Sequence, residues 1–114
     1  MTEPVPIDPA WRKTVVALLR AQSSQSIKWE PTGEKRFQAD YPDKWRYDAY
    51  DAFIAYLESA DPRGYEVQMD HPQGTTWEFL FPFDGKSAYG KILLTPDGKK
   101  LVIFSAHRPL REKL

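Results

Sequence analysis

Five polar residues in the second half of the chain have the side chains that metal-independent RNA cleavage requires. Attack of a 2′-hydroxyl on the adjacent phosphate needs a base, cations that stabilise the charged phosphorane, and an acid that protonates the leaving 5′-oxygen. The candidate catalytic residues are Glu78, Tyr89, Lys91, His107 and Arg108. Glu78 or His107 would serve as the base, Lys91 and Arg108 as the cations, and His107 or Tyr89 as the acid.

Two further residues are predicted to bind the substrate, and the whole set also has a simpler interpretation. The substrate-binding candidates are Ser105 and Lys86. A Glu78–Lys91 pair across two strands is common on exposed sheets and contributes well under about 1 kcal/mol. His107 stands where a strand ends, although an imidazole titrates in the range that is useful for proton transfer.

Metal and cofactor sites are not predicted. The chain has two histidines and no cysteine, and neither histidine belongs to a helical i, i+4 pair of ligands. Glycine-rich phosphate loops and Ser-His-Asp motifs are also missing from the sequence. His71 precedes Pro72 in a turn and is predicted to be a solvated loop residue.

Three turn signals position the candidate residues. They are His-Pro-Gln-Gly-Thr at 71–75, Phe-Asp-Gly-Lys at 83–86 and Thr-Pro-Asp-Gly-Lys at 95–99. Pro-X-Gly is typical of a three-residue hairpin loop, and Asp-Gly of a two-residue loop. The sequence therefore predicts a four-stranded antiparallel meander, whose strands span 65–71, 75–83, 86–95 and 99–107.

The loop lengths also predict which residues lie opposite each other and which face of the sheet they occupy. The predicted pairs are Met69 with Trp77, Gln68 with Glu78, Leu80 with Tyr89, Glu78 with Lys91, Leu93 with Leu101, and Tyr89 with Ser105. Because alternate residues face opposite sides, Tyr89 and Ser105 are expected on the side away from Phe104. The predicted core face contains Tyr65, Val67, Met69, Trp77, Phe79, Phe81, Gly90, Ile92, Leu94, Val102, Phe104 and Ala106. The opposite face carries the polar candidates, with Leu80, Leu93, Leu101 and Ile103 among them.

The first half of the chain predicts two helices. Asp8 is a natural N-cap before Pro9, and apolar residues recur at helical spacing to residue 21. A second helix is predicted over 44–60, with Trp45, Ala49, Phe53 and Leu57 in an apolar stripe that covers the sheet. Residues 22–41 are predicted to be a loop or a small hairpin. The fold class is therefore α+β, with two N-terminal helices packed on the meander in one domain spanning 1–114.

Composition excludes several classes of protein. Without cysteine the chain has neither disulfides nor thiol chemistry, and no apolar run approaches the length of a membrane span. We expect a cytoplasmic protein. The formal net charge is zero, so any nucleic-acid site would depend on a local basic patch.

The last two predicted strands resemble the small bacterial RNase toxins of the RelE, BrnT and MqsR kind. The resemblance rests on Tyr-Gly-Lys-Ile-Leu-Leu at 89–94 and on Phe-Ser-Ala-His-Arg at 104–108, where BrnT-like toxins have an Ile-Ser-Ala-Arg-Arg type of segment. It implies a RelE-like two-layer fold, a cytoplasmic toxin of a toxin–antitoxin system that cuts RNA without metal, and an antitoxin partner. It also implies that Lys91, His107 and Arg108 carry the activity.

Two functions are therefore predicted, and a structural module without chemistry is the third possibility. The first is a metal-independent endoribonuclease of toxin type. The alternative is a non-enzymatic protein-binding module, such as an immunity or inhibitor subunit, that docks through Leu80, Leu93, Leu101 and Ile103. An enzyme needs the polar candidates to converge on a concave site, whereas a binding module needs an exposed apolar patch.

Overall fold

Three helices and six strands make up residues 3–109, the part of the chain that the computed structural model describes. In chain order they are β1 (Val5–Pro6), α1 (Pro9–Ala21), β2 (Ile27–Trp29), α2 (Pro31–Asp40), α3 (Arg46–Leu57), β3 (Arg63–Val67), β4 (Thr75–Phe83), β5 (Lys86–Leu94) and β6 (Leu101–His107). The strands form one sheet in the order β1-β3-β4-β5-β6-β2, in which β2 runs parallel to β6 and the other neighbours are antiparallel. The fold is α+β as predicted, but it has one more helix and two more strands.

Helices α1 and α3 pack on one face of the sheet and build the core there. The Asp8 side chain accepts a hydrogen bond from the Trp11 N–H at 2.9 Å, so α1 begins where the sequence predicts. From α3, Phe53 packs against Phe81 with ring centroids 4.6 Å apart. A Cβ atom on Gly90 would lie 2.8 Å from the Phe53 ring, so the glycine opposite Phe79 makes room for the helix.

The predicted apolar stripe of the second helix is correct apart from its first member. Ala49, Phe53 and Leu57 are buried, but Trp45 is the N-cap residue of α3 and is 68% exposed. The Asp48 carboxylate accepts a hydrogen bond from the Trp45 N–H at 2.8 Å, which fixes the start of the helix after Trp45. The indole therefore lies outside the helical repeat that faces the sheet.

The segment predicted as a loop or small hairpin, residues 22–41, instead forms β2 and α2 along the outer edge of β6. Strand β2 pairs with Leu101–Ile103, and α2 lies beside the rest of β6. Before the helix, the Glu30 N–H donates a hydrogen bond to the Ile103 carbonyl at 2.9 Å. At its end, the Asp40 carboxylate accepts one from the Arg108 N–H at 2.9 Å. The helix has 10 residues and is about 15 Å long. An extended chain from Ile103 to Arg108 covers about 17 Å. Helix and strand therefore match in length.

Gly33 allows α2 to lie directly against the backbone of β6. A Cβ atom there would lie 2.0 Å from the Phe104 carbonyl oxygen, which no side-chain rotation can relieve. We expect Gly33→Ala to lower the free energy of unfolding by about 1–3 kcal/mol, the usual range for overpacking. This loss exceeds the gain of at most about 1 kcal/mol from helix propensity. Urea unfolding tests it, with the exposed Thr32→Ala as the control on the same helix. A Gly33→Ala protein as stable as the wild type would contradict the close approach.

The hairpin between β4 and β5 has the predicted register, whereas β3 does not. Phe83 lies opposite Lys86, Leu80 opposite Tyr89 and Glu78 opposite Lys91, as a two-residue Asp-Gly loop requires. Strand β3 ends at Val67, and Tyr65 rather than Gln68 lies opposite Glu78. The Pro-Gln-Gly sequence therefore lies within a longer loop, residues 68–74, and does not form a three-residue turn between β3 and β4. Tyr65 and Val67 consequently face away from α1 and α3, contrary to the prediction.

The hairpin between β5 and β6 differs from the prediction in two ways. Its loop is one residue longer, because the Asp97 carboxylate accepts hydrogen bonds from the Thr95 hydroxyl and the Lys99 N–H, and the hairpin closes between Thr95 and Lys100. A bulge follows between the pairs Ile92–Ile103 and Lys91–Ser105, which leaves Phe104 without a partner on β5.

The longer loop and the bulge have opposite effects on the two ends of β6. Before the bulge the faces are exchanged, so Leu101 and Ile103 are fully buried in the core and Val102 is on the other side. Beyond the bulge the predicted faces are restored, so Ala106 is buried in the core. Phe104, predicted in the core under α3, is instead half-buried on the face that carries Lys91.

Candidate functional site

Five of the seven predicted site residues lie on the sheet face opposite α1 and α3, which we call the outer face. Lys91 of β5 lies opposite Glu78 on one side and Ser105 on the other, and Tyr89 lies opposite His107. The predicted pair of Tyr89 with Ser105 is wrong by one position along the face. The common face of these five side chains is nevertheless as expected, because the shift in the loop and the extra residue in the bulge cancel there.

Phe104 is a member of this face and not of the helical core. The Lys91 Nζ atom lies 5.5 Å from the centroid of the Phe104 ring, a distance typical of a cation–π contact. The expectation that Tyr89 and Phe104 would be on opposite sides is therefore wrong. Since the bulged residue adds to the polar cluster without displacing Ser105 or His107, the candidates still converge.

A surface cleft of about 570 Å³ lies where the outer face meets α2. From the sheet it is lined by Lys91, Phe104, Ser105 and His107, and from the segment around α2 by Glu30, Thr32, Gly33, Lys35 and Arg36. Sequence reasoning missed Lys35 and Arg36. The signal for α2 in the sequence is Glu30 followed by Pro31, since proline is common at the first position of a helix. In the structure the Glu30 carboxylate caps this helix by accepting a hydrogen bond from the Gly33 N–H at 2.9 Å.

Positive charge dominates the cleft. Among residues 3–109, its lining has the three cations Lys35, Arg36 and Lys91 and one carboxylate, Glu30. Hydrogen bonds from the backbone N–H groups of Gly33 and Thr32 lower the pKa of Glu30, so this carboxylate stays ionised and is a weak base. The charge of Arg36 is partly compensated by Asp40, because a carboxylate oxygen of Asp40 lies 3.2 Å from Nε of Arg36. Lys35 and Lys91 are therefore the main positive charges that an anion bound in the cleft would meet.

A hydrogen bond to the neighbouring backbone orients His107 in the cleft. Its Nδ1 is 2.7 Å from the Arg108 carbonyl oxygen. Because a carbonyl only accepts hydrogen bonds, Nδ1 must carry the hydrogen, and in the neutral ring Nε2 is left with its lone pair. The ring also contacts Tyr89, with centroids 5.2 Å apart. The imidazole therefore has the tautomer that a general base acting through Nε2 needs.

Tyr89 and Glu78 are joined to each other and do not line the cleft. The Tyr89 hydroxyl donates a hydrogen bond to the Glu78 carboxylate. Burial, followed by this hydrogen bond, raises the pKa of the Tyr89 phenol well above its ordinary value. The phenol is therefore a poor acid near neutral pH, and the predicted role of Tyr89 as the proton donor loses its basis.

Arg108 and Lys86 do not join the cleft. The Arg108 guanidinium lies over the Tyr41 ring, 5.8 Å from its centroid, and its backbone N–H is held by Asp40. Lys86 lies at the β4–β5 turn opposite Phe83, whose side chain is buried on the helical side of the sheet. The structure thus brings together Lys91, Ser105 and His107, places Tyr89 and Glu78 behind them, and separates the other two candidates.

Within residues 3–109, no three or more His, Asp or Glu side chains are grouped so that they could hold a metal ion. Among the helices that the structure describes, none is long and apolar enough to cross a membrane. No protein-family model, curated protein or solved structure matches this chain. The resemblance to RelE-like toxins therefore stays a prediction.

Proposed function

We propose that the protein is a metal-independent endoribonuclease of toxin type that cuts RNA in the cleft between β6 and α2. The observation that carries the proposal is the imidazole of His107, oriented with Nε2 available as a base in a cleft that the described residues line with three cations and one carboxylate. Single-stranded RNA offers what this site can bind and change: a phosphodiester for the cations and a 2′-hydroxyl for the base.

The proposed reaction uses few groups. Nε2 of His107 removes the proton from a 2′-hydroxyl, the 2′-oxygen attacks the adjacent phosphorus, and the bond to the 5′-oxygen breaks. The Lys91 ammonium stabilises the phosphorane charge, and the leaving 5′-oxygen takes its proton from solvent that the open cleft admits. The products are a 2′,3′-cyclic phosphate and a 5′-hydroxyl end. Lys35 and Arg36 would hold neighbouring phosphates, and Phe104 offers a ring face for a base.

A chemically defined oligonucleotide tests the reaction. The purified protein should cut single-stranded RNA with EDTA present and leave cyclic phosphate ends. An oligonucleotide with a single 2′-deoxy nucleotide at the cut site should be resistant there, because the attacking hydroxyl is missing. Cutting of that control at the same bond, or no cutting of either RNA, would contradict the proposal.

Lys35 is expected to contribute to binding and not to the chemical step. Replacing it with alanine removes one phosphate contact, so KM for RNA should rise while kcat changes little. The slope of log affinity against log salt concentration should become shallower by about 0.7, the value for one contact to a single strand. Binding of the 2′-deoxy oligonucleotide at several salt concentrations measures this slope. The slope should be unchanged in Lys99→Ala, since Lys99 lies in the β5–β6 loop outside the cleft.

The toxin role adds a cellular expectation. Expression of the protein alone in bacterial cytoplasm should stop growth, and a neutralising antitoxin would relieve it. Cleavage in vitro without growth inhibition would support the ribonuclease and contradict its role as a toxin.

The docking surface predicted for the alternative, a protein-binding module, is not an exposed apolar patch. Leu93, Leu101 and Ile103 are fully buried, and Leu80 is half-buried. What favours the alternative is another surface, at the start of α3, where Trp45 is 68% and Tyr47 is 49% exposed. Exposed aromatic residues of this kind often dominate the energy of protein interfaces. If a protein partner is identified, Trp45→Ala should weaken its binding, and an unchanged affinity would remove this alternative.

A further inference from the structure

Tyr89 lies between Glu78, which the proposed reaction does not use, and His107, which it uses as the base. On one side its hydroxyl donates a hydrogen bond to Glu78, and on the other its ring contacts the ring of His107. The three residues come from three adjacent strands: Glu78 from β4, Tyr89 from β5 and His107 from β6. Neither Glu78 nor Tyr89 lines the cleft in which RNA would bind.

We propose that Glu78 and Tyr89 form a positioning pair that holds the His107 imidazole in place for proton transfer, and that neither of them transfers a proton itself. This inference rests on the ribonuclease function proposed above. Glu78 and Tyr89 would orient the base of that site.

The geometry supports positioning because each contact limits a different motion. The hydrogen bond between Nδ1 of His107 and the Arg108 carbonyl restricts rotation of the imidazole in its own plane and sets its tautomer. The Tyr89 ring restricts the tilt of the imidazole out of that plane. The Tyr89 ring is itself prevented from swinging by the bond of its hydroxyl to Glu78, a residue on the next strand.

The chemistry of the pair argues against proton transfer. The raised pKa of the phenol keeps Tyr89 protonated near neutral pH, so it can donate its hydrogen to Glu78 but cannot act as a base. The Glu78 carboxylate accepts the Tyr89 hydroxyl hydrogen bond through Oε2 and does not line the cleft, so it is not placed to take a proton from bound RNA. A carboxylate used in this way needs only to accept a hydrogen bond, which an amide oxygen also does.

Three variants separate positioning from proton transfer. Tyr89→Phe keeps the ring and loses the hydroxyl, Glu78→Ala loses the acceptor, and Glu78→Gln keeps an acceptor and loses the charge. We expect Tyr89→Phe and Glu78→Ala each to lower kcat about ten- to a hundred-fold with KM nearly unchanged, because a base displaced by about 1 Å loses up to about 10²-fold. Glu78→Gln should retain kcat within about three-fold.

A matched control comes from Tyr50, another tyrosine whose hydroxyl shares a hydrogen bond with a side chain. Tyr50 accepts a hydrogen bond from the Trp29 indole N–H at 2.9 Å inside the helical core and lies outside the cleft. Tyr50→Phe should leave kcat unchanged. A loss of kcat in Tyr50→Phe as large as that in Tyr89→Phe would overturn the proposal. So would a Glu78→Gln variant that loses as much activity as Glu78→Ala. The second result would make the carboxylate itself the base.

A direct measurement on His107 distinguishes failure of this inference from failure of the proposed function. The ¹⁵N chemical shifts of the imidazole report its tautomer, and the relaxation of its ring signals reports its mobility, whether or not the protein cuts RNA. The wild type and Glu78→Gln should show hydrogen on Nδ1 and a rigid ring, whereas Tyr89→Phe and Glu78→Ala should show a mobile ring. Equal rigidity in all four proteins would overturn the positioning pair. A mobile ring in these two variants, in a protein that leaves RNA intact, would support the pair and refute the ribonuclease.

Discussion

Replacing His107 with alanine is expected to lower RNA cleavage by about 10²–10⁴-fold, the usual contribution of a well-placed general base. Among the described side chains that line the cleft, the His107 imidazole has the nitrogen best suited to remove a proton, since backbone N–H groups stabilise Glu30 in its ionised form. Lys91→Ala should lower kcat by about 10²–10³-fold, because it removes a charge that acts on the phosphorane.

The same variants should change stability little, and this separates the site from the core. His107 and Lys91 are half-buried on the outer face. Lys91 loses a contact with the Phe104 ring that is worth at most about 1 kcal/mol at such a site. Thermal unfolding should therefore shift by a few degrees at most.

Lys86→Ala is the matched control for the cation. It removes the same charge from the same strand, but at the exposed turn outside the cleft, so kcat should stay at the wild-type level. If the His107→Ala and Lys91→Ala proteins cut RNA as fast as the wild type, this cleft is not the catalytic site. If Lys86→Ala falls as far as Lys91→Ala, the effect depends on total charge and not on the cleft.

The sequence predicts the sheet best where a short turn determines the geometry. Asp84-Gly85 closes a two-residue hairpin, and every pair from Glu78–Lys91 to Phe83–Lys86 follows from it. At Thr95 the same reasoning fails, because the Asp97 side chain binds the Lys99 N–H and lengthens the loop by one residue. Side-chain hydrogen bonds of this kind are difficult to anticipate from residue types alone.

The candidate site was predicted in part because two deviations cancel. The longer loop exchanges the faces of Leu101 and Ile103, and the bulge at Phe104 restores those of Ser105 and His107. A bulge has no sequence signature here, since Ile103-Phe104-Ser105 contains neither glycine nor proline. The bulge coincides with a change in tertiary surroundings, because at this point the neighbour of β6 changes from β2 to α2.

Helix α2 was missed because its apolar repeat is weak. Among its ten residues Phe37 is the one large apolar side chain, and it is fully buried against Trp29 and Tyr41. The helix is specified instead by its start at Glu30-Pro31 and by the close approach of Gly33 to β6. Because α2 supplies Lys35 and Arg36, the basic wall of the cleft was missed with it.

Replacing Phe79 with alanine is expected to lower the free energy of unfolding by about 3–5 kcal/mol, the usual cost of removing a large aromatic side chain from a core. Phe79 is fully buried. Its ring contacts Phe53 at 5.9 Å, Tyr56 at 5.6 Å and Phe81 at 6.0 Å between centroids, so the cavity would be surrounded by rigid rings that cannot collapse into it. Such a loss is a large fraction of the roughly 5–15 kcal/mol that stabilises a typical domain.

Phe104→Ala is the matched comparison, because the register that a three-residue β5–β6 loop predicts would place that ring in the helical core. In the bulged strand Phe104 is half-buried beside Lys91, and its removal should cost at most about 2 kcal/mol, within the range for partial exposure of a phenylalanine. Urea unfolding of the two variants, compared at equal m-values, measures the difference. Equal losses would place Phe104 among the core aromatic rings. They would favour an unbulged β6 after a three-residue loop, in which Ser105 and His107 keep the outer face but Phe104 leaves the cleft and its contact with Lys91.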